Sequence, residues 1–468
     1  MGGWTALEWL ALVEYELLLF AGVFFLVGSL DELAVDLCWM WLVLGGKLQR
    51  LRLDRRGLGV VALKGRAAVL IPAWHEHRVI GPTVAHALAS WRQADLRIYV
   101  GIYRNDPATL QAAMAAARGD ERLRLVVHDA EGPTTKADCL NRLYRAIEQD
   151  EHRESVRVRM LVLHDAEDMV DAAALALLDG AMDRAEFVQL PVLALPQPHS
   201  RWIGSHYSEE FAEAHAKTMV VRDALGTALP AAGVGCAFDR EIIARMMRAT
   251  NAQGPFSTDS LAEDYELGMR IQEHGGRSRF LRVRGDDGAL VATRAWFPSR
   301  LSDAVRQKAR WVHGIAFQGW DRLGWKAGAA ETWMRLRDRR GPLSALVLAA
   351  GYALFMLVGL STILGLAGFA PRLEPSPVLF WLVLLNLVSL CWRAAMRFGF
   401  AAHEYGWAEG FRAVLRIPVA NVIAIMASRR ALARYAFSLR GSVAGWEKTA
   451  HDRHPAELHG QLADAEAS

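Results

Sequence analysis

The segment from Gly341 to Pro371 carries no charged residue over 31 positions, and it constrains this chain more than any other feature. About 20 apolar residues in a helix already cross a hydrocarbon layer of ~30 Å, so the segment is expected to span a bilayer with some tilt. Pro375 to Trp392 is a second uncharged run, 18 residues long, and Arg393 and Arg397 follow it at once. Basic residues flanking a span favour the cytoplasm, so the two runs are expected to form an antiparallel pair returning there. At the other end Met1 to Gly46 lacks Lys and Arg, and Leu17 to Leu30 is uncharged. That run can cross if Glu14 and Glu16 lie near the interface. Lys47, Arg50, Arg52, Arg55, Arg56, Lys64 and Arg66 then follow with only Asp54 opposing them. This flank is therefore expected in the cytoplasm, with the N-terminus outside if there is one span. A cleaved signal peptide is not expected, because the basic n-region is missing. Leu37 to Gly46 is too short to cross alone and is expected at the interface, a two-span hairpin being the alternative. Ile417 to Ser428, flanked by Arg412, Arg416, Arg429, Arg430 and Arg434, is expected as an amphipathic helix lying in the cytoplasmic interface.

The rest of the chain is a folded domain rather than a tail. With 54 Lys and Arg against 51 Asp and Glu, the net charge of +3 is too small for a protein that binds nucleic acid by neutralising phosphates. Four cysteines at 38, 139, 236 and 391 show no pairing logic, so a reduced, cytosol-facing domain is expected. These features divide the chain into an anchor with its basic flank (1–64), a cytoplasmic domain (65–300), interfacial helices (301–340), a transmembrane pair with an interfacial helix (341–445) and a polar tail (446–468).

Within 65–300 apolar runs alternate with helical patterns. Ala67–Ile71, Leu96–Tyr103, Arg122–Val127 and Val156–Leu163 read as strands, which predicts an α/β fold with a mostly parallel sheet and ligands at the carboxyl ends of its strands. Polar residues stand just after those strands: His75-Glu76, Asp106 and the run His164-Asp165-Ala166-Glu167-Asp168. Three carboxylates in four positions raise one another's pKa unless a cation neutralises them, and Mg²⁺ or Mn²⁺ held with substrate phosphates is one such cation. A solvated helix N-terminus accounts for the same acids equally well. Further along, Glu263-Asp264 opens a helix, Arg306 to Trp311 forms a basic aromatic stretch, and Lys136 follows a Gly-Pro turn. Each has a bland explanation alone: a dipole complement, a basic helix on anionic lipid, a loop lysine. His75 and His77 do not have the His-Glu-x-x-His spacing of a zinc site. Ser205 to Leu225 is expected as a surface helix with one packed face and no chemistry.

Taken in order, Pro72-Ala-x-x-Glu76, Asp106, Lys136-Ala with Leu140-Asn141, Asp165-Ala-Glu-Asp168, Glu263-Asp264 and Gln307-x-x-Arg310-Trp311 resemble the membrane-anchored family 2 glycosyltransferases. The His-Asp-Ala-Glu-Asp variant and the apolar region near Asn421 are closer to the bacteriophage adsorption protein B branch. The resemblance implies a GT-A type fold with helices on both sheet faces, plus transmembrane and interfacial helices, and an inverting, metal-dependent hexosyltransferase at the cytoplasmic face of the inner membrane. It implies that Glu76 and Asp106 meet uracil and ribose of a UDP-sugar, that Lys136 lies beside the base or diphosphate, and that Glu263 contacts substrate. Asp165 with Glu167 or Asp168 would hold Mg²⁺ or Mn²⁺, and Asp264 would be the general base. Gln307, Arg310 and Trp311 would cover the diphosphate and the acceptor, a growing polysaccharide or a lipid-linked glycan. Membrane lipids, an export partner or self-association would complete the partners. The usual Asp-x-Asp is Asp165-Ala-Glu167 here, which leaves the second metal carboxylate open, and the acceptor-side glycine segment reads Ala231 to Phe238. A non-catalytic membrane scaffold that keeps the fold is the alternative function.

Overall fold

The structure is a computed structural model describing residues 5–47, 52–325, 328–369, 376–440 and 454–456. Arg50 of the basic flank and the polar tail, apart from 454–456, lie outside the described residues. Seven strands form the central sheet: β1 (Arg66–Pro72), β2 (Leu96–Tyr103), β3 (Leu123–His128), β4 (Val158–Leu163), β5 (Phe187–Gln189), β6 (Cys236–Asp239) and β7 (Ser278–Phe280), in the order β3-β2-β1-β4-β6-β5-β7. The first four are parallel, β6 runs antiparallel to both β4 and β5, and β7 is parallel to β5. All seven residues of β1 are buried, as befits a central strand covered on both sides. Successive side chains alternate between faces: Ala68 and Leu70 pack with Leu140, Leu143 and Ile147 of the helix Lys136–Glu154. Val69 and Ile71 pack with Ile80 and Val84 of the helix Ile80–Ser90 and with Leu175 and Leu178 of the helix Ala174–Ala181. The four expected strands are present within two residues of their expected ends.

Among the described residues three helices are long and apolar enough to cross a membrane: Ala6–Leu44, Gly341–Leu366 and Pro377–Tyr405. The first corrects an expectation. Leu37–Gly46 is not a separate interfacial piece, and there is no hairpin; one helix runs from a capping box made by Thr5 and Glu8 through 39 residues to Leu44. At 1.5 Å per residue it is about 58 Å long, roughly twice the hydrocarbon thickness, so its last turns reach the folded domain. It packs on the other two spans through small residues and buried amides. A Cβ on Gly22 would lie 2.7 Å from Leu382 Cδ2, and Asn386 Nδ2 donates to the Gly22 carbonyl at 2.9 Å.

The expected interfacial helix is longer than its apolar core suggested. It runs Ile417–Ser438, bends 51° from the preceding helix Trp407–Leu415, and together the two are long and apolar enough for a broken span or a re-entrant loop. At the bend Arg416 is fully buried and binds both Glu209 and Glu409. The expected surface helix at 205–225 is overturned too. It is three joined helical pieces, His206–Glu213, a π-helical turn Ala214–Thr218 and Met219–Ala224, with Tyr207, Glu209 and Lys217 each 0% exposed. Its charged residues pair with the membrane helices: Lys217 Nζ reaches Asp36 and Glu213 at 2.6 Å each, and Arg393 reaches Glu213 at 2.9 Å.

Candidate active site

The carboxyl ends of β1, β2 and β4 and the helices after them bring most of the sequence-selected residues to one cleft. Asp106 caps the helix Pro107–Ala117, accepting from Thr109 N through Oδ1 and from His75 N through Oδ2 at 2.6 Å. This locks the turn that carries Glu76, whose own N–H donates to Thr109 Oγ1. Both acids are buried, so Asp106 shapes the turn as well as lining it. Trp74, packed over Gly132, and Tyr103 stand edge to face beside them at 5.0 Å, a buried aromatic pair that the sequence reading did not select.

Lys136, first residue of the helix capped by Thr135, is the electrostatic centre. Its ammonium lies 2.5 Å from Asp165 Oδ1. Burial works against its charge, but Asp165, Glu263 and Asp264 overcome that and raise its pKa above the usual lysine value. The acids have the opposite problem. Burial, then the neighbouring Asp264 charge, push Glu263 up to about 7, with Lys136 opposing. Burial also raises Asp264 above the usual carboxylate range, again against Lys136. Glycine is required at 233, where φ is +75° and a Cβ would collide with Asp264 Oδ2. The glycine-rich segment before β6 thus serves as the backing of the Asp264 carboxylate.

Asp168 separates from its neighbours. Its Oδ2 shares hydrogen bonds with His164 Nδ1 and Asp165 N, both at 2.9 Å, inside the protein. From the far side Thr83 Oγ1 donates to the Ala166 carbonyl, and His454 Nε2 sits 3.1 Å from the Asp168 carbonyl. The acidic loop is therefore fastened from beneath, by a contact 286 residues away that no local pattern signals. Asp165 and Glu167 remain half-buried on the open side. Among the described residues no three His, Cys, Asp or Glu groups assemble into a metal site by themselves. Two oxygen-bearing side chains do fit a cation that takes its remaining ligands from phosphates and water.

Gln307, Arg310 and Trp311 lie on the helix Leu301–Val312, which passes directly into a π-helical turn, His313–Gln318. That turn is locked to the Glu263–Glu273 helix: Gly314 packs against Ala262, and Gln318 Oε1 accepts from Leu261 N. Ala304, Val305 and Ala309 seat the same helix on Ile423, Ala427 and Ala431 of the bent membrane-proximal helix. Lys308 points elsewhere, binding Glu210 at 2.6 Å and holding that carboxyl near 2 in spite of burial. Arg310 makes no ion pair among the described residues, and its Nε and Gln307 Oε1 are buried without a hydrogen-bond partner there. Trp311 leans edge-on toward Tyr207 and Phe297, and the buried Tyr207 hydroxyl is likewise unpartnered. Tyr207 and Phe297 were invisible to the sequence reading because they are distant in the chain and lie in no recognisable motif.

Bacteriophage adsorption protein B of Escherichia coli K12 is 32% identical over 408 residues, covering 82% of this chain and 54% of that protein, and bacteriophage N4 adsorption protein B of E. coli O157:H7 aligns equally. The chain thus spans about half the length of the curated relatives it matches, and the expected likeness to the adsorption protein B branch is borne out. A mannosyltransferase of Pyrobaculum calidifontis, solved with GDP-mannose and Mn²⁺, superposes with a TM-score of 0.50 at 16% identity, over 88% of this chain and 99% of that one; what the two share is the fold. Residues 65–314, more than half of the chain, match the family described as Glycosyltransferase like family 2, and the chain belongs to that glycosyltransferase family, with a GT-A type α/β domain joined to apolar helices.

Proposed function

We propose that this chain is an inverting glycosyltransferase that moves a sugar from a nucleotide-diphosphate donor, in the first instance a UDP-sugar, to a growing polysaccharide or lipid-linked glycan at the cytoplasmic face of a bacterial inner membrane. The observation that carries the reading is the charge arrangement of the cleft: three carboxylates around Lys136, with Arg310 close by and without an ion pair among the described residues. Such mismatched charge marks sites where a charged ligand completes the balance.

In this reading the base and ribose lie in the turn formed by Glu76 and Asp106, against Trp74 and Tyr103. Lys136 and Arg310 draw the diphosphate between them. Asp165 and Glu167 would hold Mg²⁺ or Mn²⁺, which supplies positive charge to the leaving oxygens. Asp168 acts as a positioning residue that fixes the Asp165 backbone. The acceptor hydroxyl attacks the anomeric carbon as the bond to the β-phosphate oxygen breaks; the electron pair leaves with the diphosphate and the hydroxyl proton goes to Asp264. The raised pKa of Asp264 makes it a stronger proton acceptor than an ordinary carboxylate. Glu263 contacts substrate from the same turn, while Gln307 and Trp311 cover the acceptor side, Trp311 offering an apolar face to a sugar ring. The basic residues at the domain-facing ends of the apolar helices, Lys47, Arg393 and Arg397, support the cytoplasmic placement of the domain.

The test is release of free nucleoside diphosphate from a panel of UDP-, GDP- and other nucleotide sugars by the detergent-purified chain, with Mn²⁺ or Mg²⁺ and with chelator. Turnover of one donor that chelator abolishes is expected, with Asp165→Ala weakening metal-dependent donor binding. If no donor turns over and none binds, the scaffold function replaces the enzymatic one.

A further inference from the structure

A large cavity lies away from the cleft, at edge strand β7, three strands from β4 in the sheet order. It holds about 1970 Å³, beyond the roughly 300–1,000 Å³ usual for a small-molecule pocket. One wall belongs to the helices that span: Trp39 and Leu42 from the foot of the first, Met396 and Phe400 from the domain-facing end of the third. Trp39 and Phe400 meet edge-on at 5.2 Å, and Trp39 Nε1 donates to the Ala216 carbonyl, which ties this wall to the folded domain. The other wall is cationic. Seven Lys and Arg side chains line the cavity against two carboxylates, Asp183 and Asp223.

Those carboxylates are already engaged. Asp183 pairs with Lys64 and Arg159, and Asp223 with Arg279 at 3.0 Å. Arg282 and Arg284 both reach a single oxygen, Glu404 Oε1, at 2.5 Å each. Two guanidiniums on one buried carboxylate leave a net positive charge, and Arg282 Nε is buried with no partner among the described residues. Burial also pushes the Arg282 guanidinium below its ordinary pKa, with Glu404 only partly offsetting it. Lys47, 3.4 Å above the Trp41 ring, lines the same cavity.

We infer that this cavity binds the headgroup of an anionic glycerophospholipid, its phosphate on the Arg282, Arg284 and Lys47 side and its acyl chains leaving along Leu42 and Phe400 into the bilayer. Charge complementarity selects the anion, since lipid phosphate supplies what Glu404 alone cannot. The apolar wall selects a lipid over a soluble phosphate, because Trp39, Leu42, Met396 and Phe400 belong to two of the helices long and apolar enough to cross a membrane. The site differs from the basic stretch Arg306–Trp311, whose charges face Asp303, Glu210 and the cleft.

The experiment is a titration of the delipidated, detergent-purified chain with short-chain phosphatidylglycerol, phosphatidylcholine and glycerol 3-phosphate, read by tryptophan fluorescence and thermal shift. Phosphatidylglycerol is expected to bind at least tenfold more tightly than either of the others. The pair R282Q/R284Q should weaken that binding at least fivefold. If that pair does not fold, because Glu404 loses both partners, K47Q decides alone, since Lys47 lines the cavity without holding Glu404. Equal binding of the two phospholipids overturns the inference, as does wild-type affinity in K47Q. Glycerol 3-phosphate binding as tightly as phosphatidylglycerol would also overturn it, and would make this a free-anion site.

Discussion

Two regions of this molecule bury acids and bases together, and they solve the problem in opposite ways. At the joint between domain and apolar helices, Lys217 and Asp36 are each 0% exposed and 2.6 Å apart. Glu213 and Trp392 Nε1 take up further bonds there, and Glu32 collects Arg337, Arg340 and Arg393. Opposite charges are matched and hydrogen-bonded across four separate helices. In the cleft, Asp165, Glu263 and Asp264 share one lysine, Glu263 sits near 7, and Arg310 makes no ion pair among the described residues. Matched charge fixes how the helices meet the domain. Mismatched charge waits for a ligand that carries the missing part.

The largest expected consequence is chemical. Asp264→Asn keeps size and turn geometry but removes the proton acceptor, so nucleoside diphosphate release should fall by about 10²–10⁴-fold while donor binding persists. The melting temperature should stay the same or rise, since one of the crowded carboxylates is neutralised. Transfer within tenfold of wild type would remove Asp264 as the base and place that role elsewhere in the cleft.

Next in size is one substitution made in both regions. Lys217→Met leaves the buried Asp36 without its cation and Glu213 with Arg393 alone, and should cost about 3–5 kcal/mol of stability, as for other buried pairs that lose one partner. Lys136→Met should cost much less, because Glu263 and Asp264 already favour their protonated forms and can take up protons when the lysine is gone; its main effect should be weakened donor binding. Chemical or thermal unfolding of both variants in one detergent compares them directly. Equal losses would mean that the cleft lysine is as structural as the joint lysine and that the two regions do not differ in kind.

How far each region was legible follows from the same contrast. The strands ending at Pro72, Tyr103 and Leu163 stood out because their apolar runs are local, and the cleft residues because each sits in a short motif just after a strand. The joint was not legible. Glu209, Glu213 and Lys217 looked like the solvated face of a surface helix, and only the arrival of Asp36, Arg393 and Arg416, each about 180 or more positions away in the chain, makes them interior. The continuity of the first helix was missed for a related reason. Asp31, Glu32 and Asp36 break its apolar pattern, and they are tolerated there because partners from the domain side neutralise them. Within the cleft, the inward turn of Asp168 depends on His164 four residues earlier, a spacing that was in view but whose geometry needed the loop.

The smallest expected effect separates the regions by pH. Glu263 has its native pKa raised to about 7 from an ordinary 4.5, so the folded state favours its protonated form. Below pH 4.5 the side chain is protonated whether the chain is folded or not, and its ionisation adds nothing to stability. Between 4.5 and 7 the unfolded chain releases the proton before the native one does, so folding becomes progressively less favourable; above 7 the full penalty, about 3 kcal/mol, is in place. Glu263→Gln has no such charge. In the absence of nucleotide and metal it should therefore match wild type near pH 4.5 and be more stable by that amount near pH 8, with thermal unfolding at the two pH values giving the difference. A variant that is less stable than wild type at pH 8 would mean that Lys136 holds Glu263 as a matched ion, as Lys217 holds Asp36, and the cleft would then be a second joint.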